Sequence, residues 1–344
     1  MKFDSTIDLL QVHCQGELGK VIVGGVAPIP GRTVLEKMNH LNGGNDEIRR
    51  FVTLEPRGMA AMSVNLLVEP TRADADAAFI VLQADRAHPM SGSNTICVVT
   101  ALLESGRIHM HEPETVVRLD TAAGLVVARA QCHGGRVVSV SFDNVPAWVH
   151  TLEAVIQTPR WGTITADIVF GGVFYAQVDV EQIGLTIERS HARELAELGL
   201  ELREVIAEQV PVEHPDIEGL NHIAYVMWRS TDDDGALRTC TTLPPGRVDR
   251  SPCGTGSSAN LAVEYARGRL VVGESRVSRS IIGGEFTAEA IGTTQVGGRP
   301  AVLPRISGQA WIYGTEQLRV DTRDPFPLGF VLSDTWGTAL DGIG

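Results

Sequence analysis

The stretch SGSNTICVVTALLESGRI, Ser91–Ile108, returns 162 residues further on (91 to 253) as CGTGSSANLAVEYARGRL, Cys253–Leu270. Ser91 falls on Cys253, Gly92 on Gly254, Ser93 on Thr255, Gly106 on Gly268 and Arg107 on Arg269. Between these fixed ends each copy carries an apolar-periodic run stopped by a glycine, the pattern of a helix with a glycine C-cap. The chain therefore reads as two halves of related architecture. Each half presents one small nucleophilic side chain, Ser or Cys, on a glycine-containing turn at a helix N-terminus. Backbone N–H groups and the partial positive charge of a helix start suit a carboxylate. Two such ends make a pseudosymmetric site for a small anion.

The bulk composition narrows the classes. At 344 residues there is chain enough for two domains. Apolar residues at 43% and charged residues at 21% describe an ordinary globular protein rather than a disordered one. A formal charge of −13 and the lack of basic clusters argue against nucleic acid. No run approaches the roughly 18 apolar residues of a membrane span. Asp4 and Asp8 stand where a signal peptide would be apolar, so a cytoplasmic location is expected. The five cysteines, Cys14, Cys97, Cys132, Cys240 and Cys253, are odd in number and lack C-x-x-C spacing, as befits free thiols in a reducing compartment.

Along the chain, β-branched runs alternate with turns. Strands are predicted at Lys20–Val26, Ala77–Gln83, Thr115–Thr121, Leu125–Gln131, Arg136–Phe142, Asn221–Trp228 and Gln309–Gly314. Helices are predicted at Thr33–Leu41 and Asp46–Leu54, with Thr33 and Asp46 as N-caps. A longer one spans Ser190–Gln209, with Leu195, Leu198, Leu202, Val205 and Ile206 at helical spacing. Pro146–Trp161 reads as the crossover between halves.

Around the second nucleophile the string DRSPCGTG, Asp249–Gly256, closely resembles the proline racemase family. Further stretches agree in order: GGVAPIPG (Gly24–Gly31), LEPRG (Leu54–Gly58), HPMSG (His88–Gly92), NVPAW (Asn144–Trp148), DIVFGGVFYA (Asp167–Ala176) and RVDTRDPFPLGFVLSDTW (Arg319–Trp336). The resemblance implies an α/β (α+β) fold of the diaminopimelate epimerase type, two pseudosymmetric halves, each a curled β-sheet around a central helix. The first half, residues 1–150 plus about 315–344, would carry Ser91; the second, 151–314, would carry Cys253. It also implies no cofactor and no metal, with proline or a hydroxyproline as the small-molecule partner. No nucleic-acid or membrane partner is expected, and a homodimer is left open. In such racemases and epimerases a thiol from each half acts on opposite faces of the substrate Cα. One takes the proton and the other returns one, and a helix N-terminus makes a thiol more acidic. By the same resemblance, backbone N–H groups near Gly92–Ser93 and Gly254–Thr255 bind the carboxylate, and Asp249 meets the ring amine.

The departure from the family pattern is at the first thiol: Ser91 stands where the family usually has Cys in M-C-G-H, and Ser93 stands for the usual His. A hydroxyl is a far weaker acid than a thiol unless activated, and no activating His is evident beside Ser91. Relatives that keep the first Cys and have Thr in place of the second dehydrate trans-3-hydroxy-L-proline, a reaction that needs no second acid across the ring. The sequence thus points first to dehydration of trans-3-hydroxy-L-proline to Δ1-pyrroline-2-carboxylate. The alternative is 4-hydroxyproline 2-epimerisation, and which of Ser91 and Cys253 takes the Cα proton stays open. A binding protein that has lost its chemistry is a third reading, disfavoured by the intact DRSPCGTG string.

Other residues have plainer readings. Cys97 lies in a predicted helix and the remaining cysteines lack patterned partners, so all four read as structural. His109 and His111 form H-x-H without further ligands at zinc-like spacing. Asp232–Asp234 before Gly235 reads as a solvated turn, and Arg57 as either a site residue or a structural ion pair. No nucleotide-binding glycine motif is present.

Overall fold

The computed structural model describes residues 6–217, 220–319, 321 and 323–336. The chain divides into two compact units, residues 1–142 with 308–344, and 143–307.

In the first unit, Ile7–Cys14 lies between two antiparallel partners, Glu17–Gly24 and Ala310–Leu318. Glu17–Gly24 runs parallel to Met62–Val68, which is antiparallel to Ala77–Leu82, which in turn is parallel to Glu114–Thr121. Two hairpins then continue through Gly124–His133 to the strand that begins at Arg136. Helices α1 (Val34–Asn42) and α2 (Glu47–Thr53) bury Val34, Met38, Leu41, Ile48, Phe51 and Val52 against one face of these strands. The third helix, α3 (Gly92–Glu104), packs against Ile7–Cys14, Glu17–Gly24, Met62–Val68, Gly124–His133 and Ala310–Leu318. All its residues but Glu104 are buried, the signature of a helix enclosed by its own sheet. Gly19 makes this enclosure possible, because a Cβ there would lie 2.7 Å from Cys97 Sγ.

The second unit repeats the signs of pairing. Gly162–Phe170 is antiparallel to Phe174–Asp179, which is parallel to Ile223–Thr231, which is antiparallel to Leu237–Leu243, which is parallel to Ser275–Ser280. Ser275–Ser280 pairs antiparallel with Glu285–Val296, and that strand with Arg299–Gly308. Arg299–Gly308 reaches Ala147–Thr158, which pairs with Gly162–Phe170, so the strands close on themselves. Helix α4 (Ala192–Gln209) lays Leu195, Leu198, Leu202 and Ile206 on the core that includes Trp148 and Trp228. Helix α5 (Gly254–Ala266) packs against Ala147–Thr158, Gly162–Phe170 and Glu285–Val296. It has the same thirteen-residue length as α3 and begins 162 residues later (92 to 254). Gly106 and Gly268 follow the two helices at φ +73° and +69°, the left-handed exit that only glycine adopts without strain.

Two expectations need correction. Pro146–Trp161 is no crossover: Ala147–Thr158 is a twelve-residue strand. A bulge hides it, since Glu153 has φ +51° and the pairing shifts register between Ala166 and Ile168. Asp46 stands at the start of α2 but makes no cap, because its carboxylate is held by Arg49. Thr33, by contrast, accepts from Glu36 N–H at 3.0 Å. The Asp232–Asp234 run is the turn expected, exposed at Asp233 and Asp234, and it is also ion-paired: Arg238 and Arg279 bind Asp232, and Arg279 binds Asp234 at 2.7 Å. Among the described residues no helix is long and apolar enough to cross a membrane.

Candidate active site

At the start of α3, Ser91 occupies the N-cap position with extended backbone, yet its side chain does not cap the helix. A serine there ordinarily accepts from a first-turn N–H, a bond worth about 1 kcal/mol. Ser91 Oγ is instead turned to the Asn94 side chain, whose Nδ2 donates to it at 3.0 Å, and lies 3.4 Å from Ser93 Oγ. Ser91 is half-buried while Gly92, Ser93 and Asn94 are buried. The first-turn N–H groups of such a helix have no intrahelical carbonyl to bond. Beneath the turn, His88 Nε2 lies 3.0 Å from Asp85 Oδ1.

At the start of α5, Cys253 stands at the N-cap with φ +66° and ψ +112°. A side chain in that region costs of order 1–3 kcal/mol and persists only where surrounding bonds impose it. Here Cys253 N–H donates to Ser251 Oγ at 3.2 Å, and its carbonyl accepts from Ser257 N–H at 2.8 Å. Asp249 fixes the approach: its Oδ1 accepts from Ser251 N–H at 2.8 Å and from Ser251 Oγ at 2.9 Å. Gly171 lets this turn sit close to the sheet, since a Cβ there would be 2.2 Å from the Thr255 carbonyl oxygen. Asn144 secures the same contact, donating to Gly171 O at 3.0 Å and Ser258 Oγ at 2.9 Å.

The Cys253 thiol is buried, and burial together with the nearby Asp249 charge pushes it up to about 11. This corrects the expectation of an acidified thiol: the helix start is outweighed by desolvation and by the Asp249 carboxylate. Two donors to the sulfur work in the opposite direction, the Tyr175 hydroxyl and the Gly256 backbone N–H, with the Thr255 hydroxyl further off at 3.8 Å. Tyr175 OH is 3.2 Å from Cys253 Sγ and 2.6 Å from Thr255 Oγ1. Burial and the neighbouring thiol keep this phenol protonated well beyond its ordinary range. A thiolate can only accept, so in the ionised state Tyr175 is the donor to sulfur and Thr255 the donor to Tyr175.

The predicted residues therefore fall into two groups. Ser91, Gly92 and Ser93 share the α3 start, and Asp249, Cys253, Gly254 and Thr255 share the α5 start. Sequence reasoning missed Asn94 and Tyr175. Asn94 lies within the first repeat, and Tyr175 within DIVFGGVFYA, but neither position marks itself as polar machinery in a single sequence. Arg57 belongs to neither group: it donates to the carbonyls of Phe51, Phe326 and Pro327 and pairs with Asp324. Cys14, Cys97, Cys132 and Cys240 are buried and form no disulfide among the described residues. The His109 and His111 rings stand perpendicular with centroids 4.7 Å apart, and no metal-ligating cluster of three or more forms among the described residues.

The chain is a mixed α/β protein with a Ser-led helix and a Cys-led helix of equal length, one in each unit. The chain is a member of the proline racemase family, whose profile matches residues 9–331. It is 55% identical over 345 aligned positions to a 4-hydroxyproline 2-epimerase of Allorhizobium ampelinum, covering 100% of this chain and 99% of that protein. A solved hydroxyproline epimerase from Agrobacterium vitis, with bound trans-4-hydroxy-L-proline, superposes with a TM-score of 0.90 at 55% identity, covering 98% of this chain and 99% of the other. A phenazine biosynthesis protein of the PhzF family from Bacillus anthracis shares the fold alone, with a TM-score of 0.60 at 11% identity over 93% of this chain and all of the other.

Proposed function

We propose that this enzyme is a 4-hydroxyproline 2-epimerase, inverting the C2 stereocentre without a cofactor. The observation that carries the reading is end-to-end 55% identity to a protein of that activity. This favours the second of the two reactions that the sequence left open over dehydration of trans-3-hydroxy-L-proline. The preference for dehydration rested on an unassisted hydroxyl at Ser91, whereas Ser91 Oγ accepts a hydrogen bond from Asn94.

In this reading the substrate carboxylate accepts from first-turn N–H groups at Gly92–Ser93 and Gly254–Thr255, where helix starts favour negative charge. The ring ammonium meets Asp249. Ser91 and Cys253 act on opposite faces of Cα. In one direction the Cys253 thiolate removes the Cα proton, charge builds on the carboxylate as an enolate, and the Ser91 hydroxyl delivers a proton to the other face. The products are a Cys253 thiol, a Ser91 alkoxide and the inverted amino acid. The reverse turnover exchanges the roles, so no co-reactant is consumed. An ammonium at Asp249 offsets one of the two causes that raise the Cys253 thiol, so substrate itself promotes ionisation.

The test is incubation with trans-4-hydroxy-L-proline and, separately, trans-3-hydroxy-L-proline in deuterated water, followed by chiral chromatography and mass spectrometry. Epimerisation predicts cis-4-hydroxy-D-proline carrying one deuterium at Cα. Cyclic imine from the 3-hydroxy isomer with no turnover of the 4-hydroxy isomer would return the dehydratase reading.

A further inference from the structure

Beside the α3 start lies a buried pair of amides, Asn65 and Asn94. Asn65 is fully buried in the middle of Met62–Val68, opposite Val21 in a parallel pair, where an apolar residue is the rule. Its Nδ2 lies 3.3 Å from the carbonyl oxygens of Gly19 and Lys20 and 2.9 Å from Asn94 Oδ1. Its Oδ1 is buried with no donor in reach among the described residues. Leaving such an acceptor unmet costs about 1–3 kcal/mol.

These contacts fix which way both amides point. Carbonyl oxygens only accept, so the end of Asn65 that faces Gly19 and Lys20 must be its NH2. Turning it over would set Oδ1 against three oxygens. Asn94 must then offer Oδ1 to Asn65, since its own NH2 there would meet another donor. The remaining end of Asn94, its Nδ2, is left aimed at Ser91 Oγ at 3.0 Å. Ser91 Oγ is thereby an acceptor from Asn94, and its single proton is left for another partner.

We propose that Asn94, oriented by Asn65, is a positioning residue that aims the Ser91 hydroxyl and stabilises negative charge on its oxygen. The inference rests on the reading of Ser91 as one of the two proton-transfer groups. It explains how a serine serves without a neighbouring histidine: a neutral amide donor, locked in the sheet, supplies what the missing imidazole does not. A donor to an oxygen that gains charge strengthens as the proton leaves, so its effect falls on the chemical step. The second half does the same work with a different group, Tyr175.

Asn94→Asp is the decisive variant. Aspartate keeps the shape, keeps an oxygen for Asn65 Nδ2, and places a carboxylate in the first turn of α3, where helix electrostatics favour it. It replaces the donor to Ser91 by an oxygen and adds a negative charge beside the turn proposed to hold the substrate carboxylate. A purely structural Asn94 therefore predicts unchanged or raised thermal stability with unchanged kcat. The proposal predicts a kcat for 4-hydroxyproline epimerisation at least tenfold lower with the melting temperature maintained, whereas the added charge alone would raise KM and leave kcat. A second measurement needs no turnover: in Ser91→Cys/Cys253→Ala, the pH dependence of iodoacetamide labelling of the position-91 peptide gives the ionisation of the introduced thiol. Adding Asn94→Ala should move that midpoint up by about one pH unit, a tenfold loss of thiolate. An unmoved midpoint overturns the proposal, as does Asn94→Asp with full kcat. A wild-type enzyme inert toward 4-hydroxyproline would fail the proposed function while leaving the thiol titration to decide Asn94.

Discussion

Replacing Tyr175 by Phe isolates the hydroxyl that stands 3.2 Å from Cys253 Sγ. The ring keeps its place in the core, where Tyr175 is fully buried against Tyr225 with centroids 5.6 Å apart. What is lost is a hydrogen bond to a thiolate, worth about 1.5–3 kcal/mol for a charged acceptor. At about 1.36 kcal/mol per pKa unit, the thiol should ionise roughly one to two units later. In the wild type the thiol titrates at about 11, so below that pH the thiolate fraction, and with it the alkylation rate, rises tenfold per pH unit. At any fixed pH below the midpoint, Tyr175→Phe should therefore slow labelling of Cys253 roughly ten- to hundredfold. The assay is pH-dependent iodoacetamide labelling read by mass spectrometry on the Cys253 peptide, with thermal melting in parallel. Thr255 Oγ1 loses its 2.6 Å partner but is only half-buried, so water replaces it and the stability change stays small. An unchanged labelling rate in a folded variant would refute Tyr175 as the donor that lets Cys253 ionise.

Three further outcomes follow from the same geometry. Asp249→Asn keeps an oxygen for Ser251 but removes the charge that raises the thiol, so Cys253 should label faster while KM for hydroxyproline rises at least tenfold; a slower label would mean that Asp249 does not act on the sulfur by charge. Ser91→Ala should abolish inversion yet still permit deuterium exchange at Cα of the single epimer whose proton faces Cys253, and retained epimerisation measured by chiral chromatography would remove Ser91 from the chemistry. Gly171→Ala drives a Cβ to 2.2 Å from the Thr255 carbonyl, backbone that cannot swing aside, and should cost about 2–4 kcal/mol in denaturant unfolding; a loss under about 0.5 kcal/mol would show that the turn yields.

Much of the site was legible because two of its signals are local. The paired glycine exits and paired nucleophiles lie within eighteen residues of one another in each copy, and both helices begin where the repeat places them. The Ser190–Gln209 stripe was equally plain, with only its first turn tightened into a 3-10 segment at Arg189–His191. Several strands escaped notice. Glu285–Val296 carries glycine and a bulge that break alternation, and Ala147–Thr158 is interrupted at Glu153. Asn65, Asn94 and Tyr175 escaped for another reason. Each gains its meaning from a partner 29 to 80 positions away, and no spacing within one sequence marks a buried amide as aimed rather than merely tolerated. The ionisation of Cys253 was misjudged because a helix start is visible in sequence, whereas the desolvation that outweighs it is a property of packing.

The strand Ala310–Leu318 lies on Ile7–Cys14, pairing Ile7 with Leu318 and Cys14 with Ala310. A ribosome emits the chain from one end, so Ile7–Cys14 emerges about three hundred residues before the strand that covers its edge. The second unit, residues 143–307, is continuous and can be complete first. During synthesis the earliest-made strand thus waits longest, holding unpaired amide and carbonyl groups that invite association with other nascent chains. The order of manufacture and the order of completion run opposite ways in this molecule, which makes its N-terminal edge the place where a chaperone has most to shield.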